Sequence, residues 1–91
     1  MRAETTDSEA RVTVRYFAAA RAAAGVEDET ITVPAGTTVR ELVETLHTRG
    51  PGLSAVLARC TYLCDGVAVR DLQTALGDTQ TVDVLPPFAG G

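Results

Sequence analysis

The chain has 91 residues, of which 45% are hydrophobic and 22% are charged, so it is long enough for one domain with a modest core. Its net charge is −4 and its arginines are scattered, whereas nucleic-acid binding needs a clustered basic surface. No segment has the roughly 20 apolar residues that cross a membrane, and residues 1–10 lack the apolar core of a secretory signal. We therefore expect a soluble cytoplasmic protein that binds neither nucleic acid nor membrane.

Few side chains could bind a metal or perform catalysis. Cys60 and Cys64 are separated by three residues, which is not the spacing of a redox pair, and with His47 they give fewer ligands than a structural zinc site needs. We expect the cysteines to be small buried hydrophobes, and His47 to be solvated or to cap a helix. The chain therefore has no predicted metal or cofactor site and no catalytic side chain, which leaves open whether it is an enzyme.

The first half of the chain predicts two strands joined through a short helix. Residues 1–10 have no apolar periodicity and are expected to be a disordered or loosely attached extension. Residues 12–16 and 29–33 alternate apolar and polar side chains, as half-buried strands do, and the alanine-rich stretch before Gly25 predicts a helical turn. The short linker favours an antiparallel pair, and we expect the acidic residues 27–29 to form a solvated turn.

The main helix is predicted from its start signal and its apolar stripe. Thr38 and Glu41 have the spacing of a capping box. Apolar residues follow at helical spacing: Val39, Leu42, Val43 and Leu46. Gly50 ends this helix, and Pro51 can begin a second, shorter helical segment.

The second half of the chain predicts a hairpin and a final strand. Asp65-Gly66 is a strong hairpin signal between two short apolar runs. Residues 81–85 alternate again before Pro86 and Pro87, which cannot donate ladder hydrogen bonds. These elements predict one α+β domain over residues 11–87, in which a mixed four- to five-stranded sheet packs on one main helix.

The last residues suggest a chemical role for the chain's end. Pro86 and Pro87 favour an extended path away from the sheet, and the final glycines can thread a channel too narrow for other residues. A carboxylate becomes reactive as a mixed anhydride with a nucleotide phosphate, and a sulfur nucleophile then converts it to a thiocarboxylate. We therefore expect a carrier that reacts at the Gly91 carboxyl carbon, with a threading segment formed by Pro86, Pro87, Phe88, Ala89 and Gly90. The alternative, glycines that merely fray, does not explain the stiff proline pair.

Two apolar residues near this tail are predicted to face outward. If the buried residues of the first strand alternate inward, Phe17 points outward together with Arg15. The same alternation in the last strand turns Leu85 outward with Asp83. With Val67, these residues would form an apolar surface for a partner. The alternative, in which Phe17 and Leu85 bend back over the edge of the core, is equally open.

Residues 14–21 (VRYFAAAR) and 84–91 (VLPPFAGG) resemble the MoaD/ThiS family of sulfur carriers, and the helix entry at residues 36–46 also fits. The resemblance covers about residues 11–91 and implies a β-grasp, ubiquitin-like roll. Within the family, the chain is most similar to the small subunit of molybdopterin synthase.

This resemblance implies a reaction sequence carried out with partners. An E1-like adenylyltransferase would use ATP and Mg²⁺ to adenylate Gly91, and a sulfur donor protein would supply the sulfur of the thiocarboxylate. The carrier would then dock on the large synthase subunit, in a heterotetramer, and pass sulfur to cyclic pyranopterin monophosphate for the molybdenum cofactor.

Two other functions fit the same residues. The carrier could serve thiazole or cysteine biosynthesis, which keeps the chemistry and changes the acceptor. Alternatively, the chain could be a ubiquitin-like interaction or conjugation module. The chain contains no lysine, which disfavours self-linked chains and does not exclude the tagging of other proteins.

Overall fold

The computed structural model describes residues 9–87. These residues form five strands and three helices: β1 (Glu9–Tyr16), α1 (Ala18–Ala24), β2 (Asp28–Pro34), α2 (Val39–His47), α3 (Pro51–Leu57), β3 (Thr61–Cys64), β4 (Val67–Ala68) and β5 (Gln80–Leu85). The strands make one mixed sheet in the spatial order β2-β1-β5-β3-β4. β1 and β5 run parallel, and the other neighbours run antiparallel. Within the described stretch, no helix is long and apolar enough to cross a membrane.

The first strand starts earlier than the sequence predicts. Ala10 pairs with Val33 on β2 and is only 3% exposed, so β1 begins at Glu9 and not at Arg11. The prediction was wrong at this boundary because alanine carries little strand preference and gave no alternating signal. The remaining residues predicted to form the extension, 1–8, lie outside the described part of the chain.

The predicted antiparallel pair of β1 and β2 is confirmed, but the acidic turn is not. Asp28 and Glu29 belong to β2. The Glu29 carboxylate accepts hydrogen bonds from the Tyr16 hydroxyl, at 2.6 Å, and from Arg49 Nη1, at 3.0 Å. Glu29 is therefore a structural carboxylate that joins β1 and β2 to the end of α2, because its strand position places it beside two donors.

The capping box is confirmed at the start of α2. Thr38 Oγ1 accepts a hydrogen bond from the Glu41 backbone N–H, and the Glu41 carboxylate accepts one from the Thr38 N–H. Both bonds satisfy donors that a helix N-terminus leaves unpaired. The predicted stripe of this helix faces the core, where its buried members are Val39, Leu42 and Leu46.

The hairpin is confirmed too. Asp65 and Gly66 have φ of 50° and 84°, as a type I′ turn between β3 and β4 requires. β3 also pairs with β5, which lies in the middle of the sheet and buries Val82 and Val84 completely. One face of the sheet is thereby covered by helices, with α1 packed on α3 and α3 on α2.

Three helices, and not the main helix alone, contribute to this core. Ala20 of α1 and Leu53 and Leu57 of α3 are buried in it with the stripe of α2. The opposite face of the sheet, which we call the open face, carries the alternate side chains of β1 and β5, among them Arg15 and Asp83.

Candidate functional site

The end of β5 leads to the tail. Leu85 is the last residue of β5, Pro86 is half-buried and Pro87 is exposed. The two prolines line a shallow pocket of about 290 Å³ between α1 and the end of α3. Its other lining residues are Ala19, Ala55, Val56 and Arg59. The root of the tail therefore lies over the two short helices.

Pro86 and Pro87 are the first residues of the predicted threading segment, and the other residues predicted to thread and react follow them in the chain. Phe88, Ala89, Gly90 and Gly91 are outside the described residues, so their predicted roles stay predictions.

The parallel pairing of β1 and β5 places Phe17 beside the tail root. Tyr16 is aligned with Val84, and the Phe17 N–H donates a 3.2 Å hydrogen bond to the Val84 carbonyl. Phe17, in extended conformation just before α1, is 37% exposed, and Leu85 is half-buried. Since parallel strands end at the same edge of a sheet, Phe17 and Leu85 both lie where the tail leaves the domain.

Val67 lies on a different face. Its backbone is aligned with Cys64, which is in turn aligned with the buried Val82. Side chains at aligned positions share a face, so Val67 extends the helix-covered face at the outer edge of the sheet, where it is 69% exposed. The structure does not bring Val67 together with Leu85, because their positions differ in alternation.

A residue that was not predicted from the sequence, Leu63, lies on the same face as Leu85. Leu63 is aligned with Asp83 on one side and with Ala68 on the other, so its side chain lies on the open face next to β5. Only the strand register reveals this neighbour. We call Phe17, Leu63 and Leu85 the docking patch, because they form the candidate surface for a partner.

An ion pair lies at the centre of this patch. Arg15 Nε donates to Asp83 Oδ1 at 2.7 Å, and Arg15 Nη2 donates to Oδ2 at 3.0 Å. The Asp83 side chain is 9% exposed and that of Arg15 is 51% exposed. The hydrogen bond and the negative charge of Asp83 raise the pKa of Arg15 above its usual value. The alternation in the sequence predicts that both residues lie on the open face, but only the β1–β5 register shows that they are in contact.

Phe17 completes this arrangement. The Arg15 guanidinium carbon lies 5.5 Å from the centroid of the Phe17 ring, within the range of a cation–π contact. The aromatic member of the patch is therefore in contact with the ion pair at its centre.

The cysteines and the histidine lie elsewhere. Cys60 and Cys64 are unbridged and half-buried, and burial raises the pKa of both thiols. Cys60 immediately precedes β3 and Cys64 ends it, so about 13 Å of extended chain separates them, far more than a disulfide spans. His47 Nδ1 and Ser54 Oγ share a hydrogen bond that joins α2 to α3, a structural role that the sequence did not predict. Within residues 9–87, no group of three His, Cys, Asp or Glu side chains is arranged to hold a metal.

Comparisons with known proteins agree with this architecture. The ThiS family profile matches residues 14–91. The chain is 34% identical over 88 residues to the molybdopterin synthase sulfur carrier subunit of Homo sapiens, covering 89% of this chain and 94% of that protein. It is 30% identical over 82 residues to the protein of the same name from Chlamydomonas reinhardtii, covering 89% of this chain and 99% of that protein.

Solved structures confirm the β-grasp fold. A protein from Pyrococcus furiosus, described as subunit 1 of a molybdopterin converting factor, superposes with a TM-score of 0.78 at 31% identity, covering 86% of this chain and 98% of that chain. A small archaeal modifier protein 1 from Methanosarcina acetivorans has a TM-score of 0.77 at 27% identity over 91% and 98% of the two chains. A complex of subunits 1 and 2 of molybdopterin-converting factor from Helicobacter pylori matches with a TM-score of 0.61 at 26% identity, over 89% and 99%. This chain therefore belongs to the ThiS family, as the resemblance of its first and last segments to MoaD/ThiS proteins implied.

Proposed function

We propose that this chain is a sulfur carrier that serves as the small subunit of a molybdopterin synthase. Its reactive atom is the carboxyl carbon of Gly91, which is adenylated, converted to a thiocarboxylate and used to donate sulfur to cyclic pyranopterin monophosphate. Support comes from the family match and from relatives named as sulfur carrier subunits at 30% and 34% identity.

The observation that carries the proposal is the parallel pairing of β1 with β5. Because of this pairing the chain leaves the sheet after Leu85, at Pro86 and Pro87, on the edge where Phe17 is exposed. Pro86 and Pro87 stiffen the start of that path. A partner that binds the docking patch is therefore in position to receive the last residues of the chain.

The chemistry divides between this chain and its partners. A carboxylate oxygen of Gly91 attacks the α-phosphorus of ATP, and pyrophosphate leaves. The terminal sulfur of a persulfide attacks the acyl carbon, and AMP leaves. A thiol of a partner then breaks the sulfur–sulfur bond, which forms a disulfide and releases the thiocarboxylate. The carrier contributes placement, because correct placement of reacting groups accounts for much of catalysis.

The proposal includes three partners, as the resemblance to MoaD/ThiS proteins implies. An E1-like adenylyltransferase binds ATP and Mg²⁺, a sulfur donor protein carries the persulfide, and the large synthase subunit accepts the thiocarboxylate in a heterotetramer in the cytoplasm. The Helicobacter pylori complex of subunits 1 and 2 supports the last of these pairings, since its components include a protein with this fold.

Intact-mass measurement of the carrier tests the proposal. Protein reconstituted with its adenylyltransferase, ATP and sulfur donor should gain the mass difference between one sulfur and one oxygen atom. Deletion of Gly91 should abolish this gain and the synthesis of molybdopterin while circular dichroism stays native. Normal sulfur transfer without Gly91 would refute the proposal.

Gly52→Ala is a matched control for the Gly91 deletion. Gly52 lies in α3, and a Cβ there meets no atom within 4 Å, so this variant should load sulfur normally. The acceptor is tested by offering the loaded carrier to purified large subunits of molybdopterin, thiazole and cysteine biosynthesis. Turnover only with an acceptor other than molybdopterin synthase would reassign the client.

A second candidate function is protein conjugation. The similarity to a small archaeal modifier protein at 27% identity favours it. In that case the adenylated Gly91 would form amide bonds with lysines of other proteins. The chain's own lack of lysine prevents side-chain-linked chains of itself. Because the chain has no lysine and no arginine after Arg70, trypsin would leave residues 71–91 attached to a modified lysine. Mass spectrometry of lysines that carry this remnant in the native host distinguishes protein conjugation from sulfur carriage.

A further inference from the structure

The docking patch has a charged centre, which is unusual for a surface that a partner is expected to bury. Asp83 is 6% exposed although it lies on the face without helices, because Arg15 of β1 and Leu63 of β3 flank it. Neither an exposed nor a buried ion pair is strong evidence for stability, and in this pair Asp83 is buried while Arg15 is half exposed. Stability alone therefore does not explain this ion pair, which leaves recognition of a partner as its role.

The Arg15 guanidinium has more N–H donors than its hydrogen bonds to Asp83 use. It carries five N–H groups, and its bonds to Asp83 use one on Nε and one on Nη2. Its other N–H groups form no hydrogen bond with residues 9–87. Water can reach them in the unbound carrier, since the side chain is 51% exposed. A partner that covers the patch removes this water and must supply an acceptor, because a buried unpaired donor is costly.

The local charge indicates which acceptor fits. Asp83 already neutralises Arg15, and Asp28 is aligned with Arg15 across the β1–β2 pair on the same face. These three side chains together carry one net negative charge. A carboxylate brought to this place would be repelled, so a neutral oxygen is the better acceptor.

The pair also restrains the aromatic ring beside it. Arg15 is held by two hydrogen bonds to Asp83, and its guanidinium contacts the Phe17 ring at 5.5 Å from the centroid. A ring held in its bound orientation loses less entropy on docking than a free one.

We propose that Arg15 is the polar anchor of the docking patch: with Asp83 it positions the Phe17 ring, and it donates to a neutral oxygen of the partner, a main-chain carbonyl or a side-chain amide. Arg15 and Asp83 are thus positioning residues that select the partner. The inference rests on the proposed function, in that the partner is the large synthase subunit.

A double variant, Arg15→Met with Asp83→Asn, tests the proposal without leaving a buried charge unpaired. Its circular dichroism should stay native, while its Kd for the purified large subunit should weaken about tenfold through loss of the contact to the ring and of the anchor. Arg21→Met with Glu27→Gln is the matched control, because that exposed pair lies outside the patch. Unchanged affinity of the Arg15/Asp83 variant would overturn the proposal.

Three further measurements separate recognition from simple packing. Phe17→Ala should cost less affinity in the Arg15/Asp83 variant than in the wild type, and an equal cost in both would overturn the positioning role. Arg15→Lys keeps the charge and loses the planar fork, so it should also weaken binding, whereas wild-type affinity would count against the anchor. Binding should depend only weakly on salt. A steep salt dependence that vanishes in the double variant would indicate a partner carboxylate and overturn the neutral acceptor.

Leu85→Asp distinguishes failure of this inference from failure of the docking patch. If Leu85→Asp prevents binding and the Arg15/Asp83 variant binds normally, only the anchor is refuted. If both bind normally, the patch is not the docking surface either. Sulfur loading of Gly91, read by intact mass, tests the carrier chemistry independently of both.

Discussion

The hydroxyl group of Tyr16 donates a 2.6 Å hydrogen bond to the carboxylate of Glu29, which joins the last residue of β1 to β2 across α1. Tyr16 is 2% exposed, so the ring lies in the core while its hydroxyl reaches a half-buried acceptor. The Arg49 guanidinium binds the other oxygen of the same carboxylate. This contact ties the end of β1, directly before Phe17, to the neighbouring strand β2.

Removing this hydroxyl should destabilise the domain without unfolding it. Tyr16→Phe should lower the free energy of unfolding by about 1 kcal/mol, the usual net contribution of such a hydrogen bond. Urea denaturation measures the change. In a Glu29→Ala background the same substitution should cost much less, and an equal cost there would show that the hydrogen bond is not the cause.

Alkaline pH should destabilise the domain through its buried tyrosines. Burial, and then the hydrogen bond to Glu29, raise the pKa of Tyr16, and burial raises the pKa of Tyr62 to about 12. The unfolded chain loses these protons near pH 10 (about the ordinary tyrosine value). Because the unfolded state then binds fewer protons than the folded state, the free energy of unfolding falls as pH rises from about 10.

Urea midpoints measured over this alkaline range test the linkage. Tyr62→Phe should flatten the dependence, since it removes one of the two groups. A Cys60→Ala background removes the nearby thiol, whose pKa burial also raises. A free energy of unfolding that stays constant as pH rises through the raised tyrosine pKa values would contradict the expectation.

The capping box should contribute measurably to stability. Thr38→Ala leaves the Glu41 N–H without its side-chain acceptor and should cost about 1 kcal/mol. Thr45→Ala is the matched control, because Thr45 lies in the exposed interior of α2 where alanine is the better helix former. Thermal denaturation of both variants measures the difference. Equal melting temperatures would mean that the cap contributes nothing.

The hairpin turn requires glycine at position 66 because of the backbone conformation there, and not because space for a side chain is lacking. Gly66 has φ of 84°, and a Cβ there meets no atom within 4 Å. Gly66→Ala should therefore destabilise by about 1 kcal/mol from conformation alone. Gly52→Ala, in α3, should be neutral or stabilising by a similar amount. Chemical denaturation measures both changes, and a neutral Gly66→Ala would show that the turn relaxes at no cost.

The buried start of β1 gives a test of the strand boundary. Ala10→Asp places a charge at a site that is 3% exposed and should lower the free energy of unfolding by about 3 kcal/mol or more. Glu9→Asp, one residue earlier and exposed, should change it little. If Ala10→Asp unfolds no more readily in urea than Glu9→Asp, the strand begins later than the structure shows.

Local signals in the sequence were enough for most of the fold. The capping box at Thr38 and Glu41, the Asp65-Gly66 turn and the alternating strands each have a short-range physical cause, and each is confirmed. The start of β1 was missed because Ala10 is buried by pairing with a strand more than 20 residues away. Glu29 was misjudged for the same reason, since its donors come from β1 and the end of α2.

The candidate site was less predictable than the fold. Alternation indicated that Arg15 and Asp83 share a face, but their contact depends on a register between residues 68 positions apart. Val67 was predicted to lie in the patch and Leu63 was not, because a shift of one residue along a strand moves a side chain to the opposite face of the sheet. Such long-range register cannot be read from residue types alone.

The position of β5 between β1 and β3 also has a consequence for biosynthesis. The final strand completes the middle of the sheet, so the segments made earlier cannot form the native core until the ribosome has released residues 80–85. Contacts of such long sequence separation form late in folding. An incomplete nascent chain therefore lacks both the native surface that carries Phe17, Leu63 and Leu85 and the residues that follow β5, so a partner that recognises both features would bind only a completed chain.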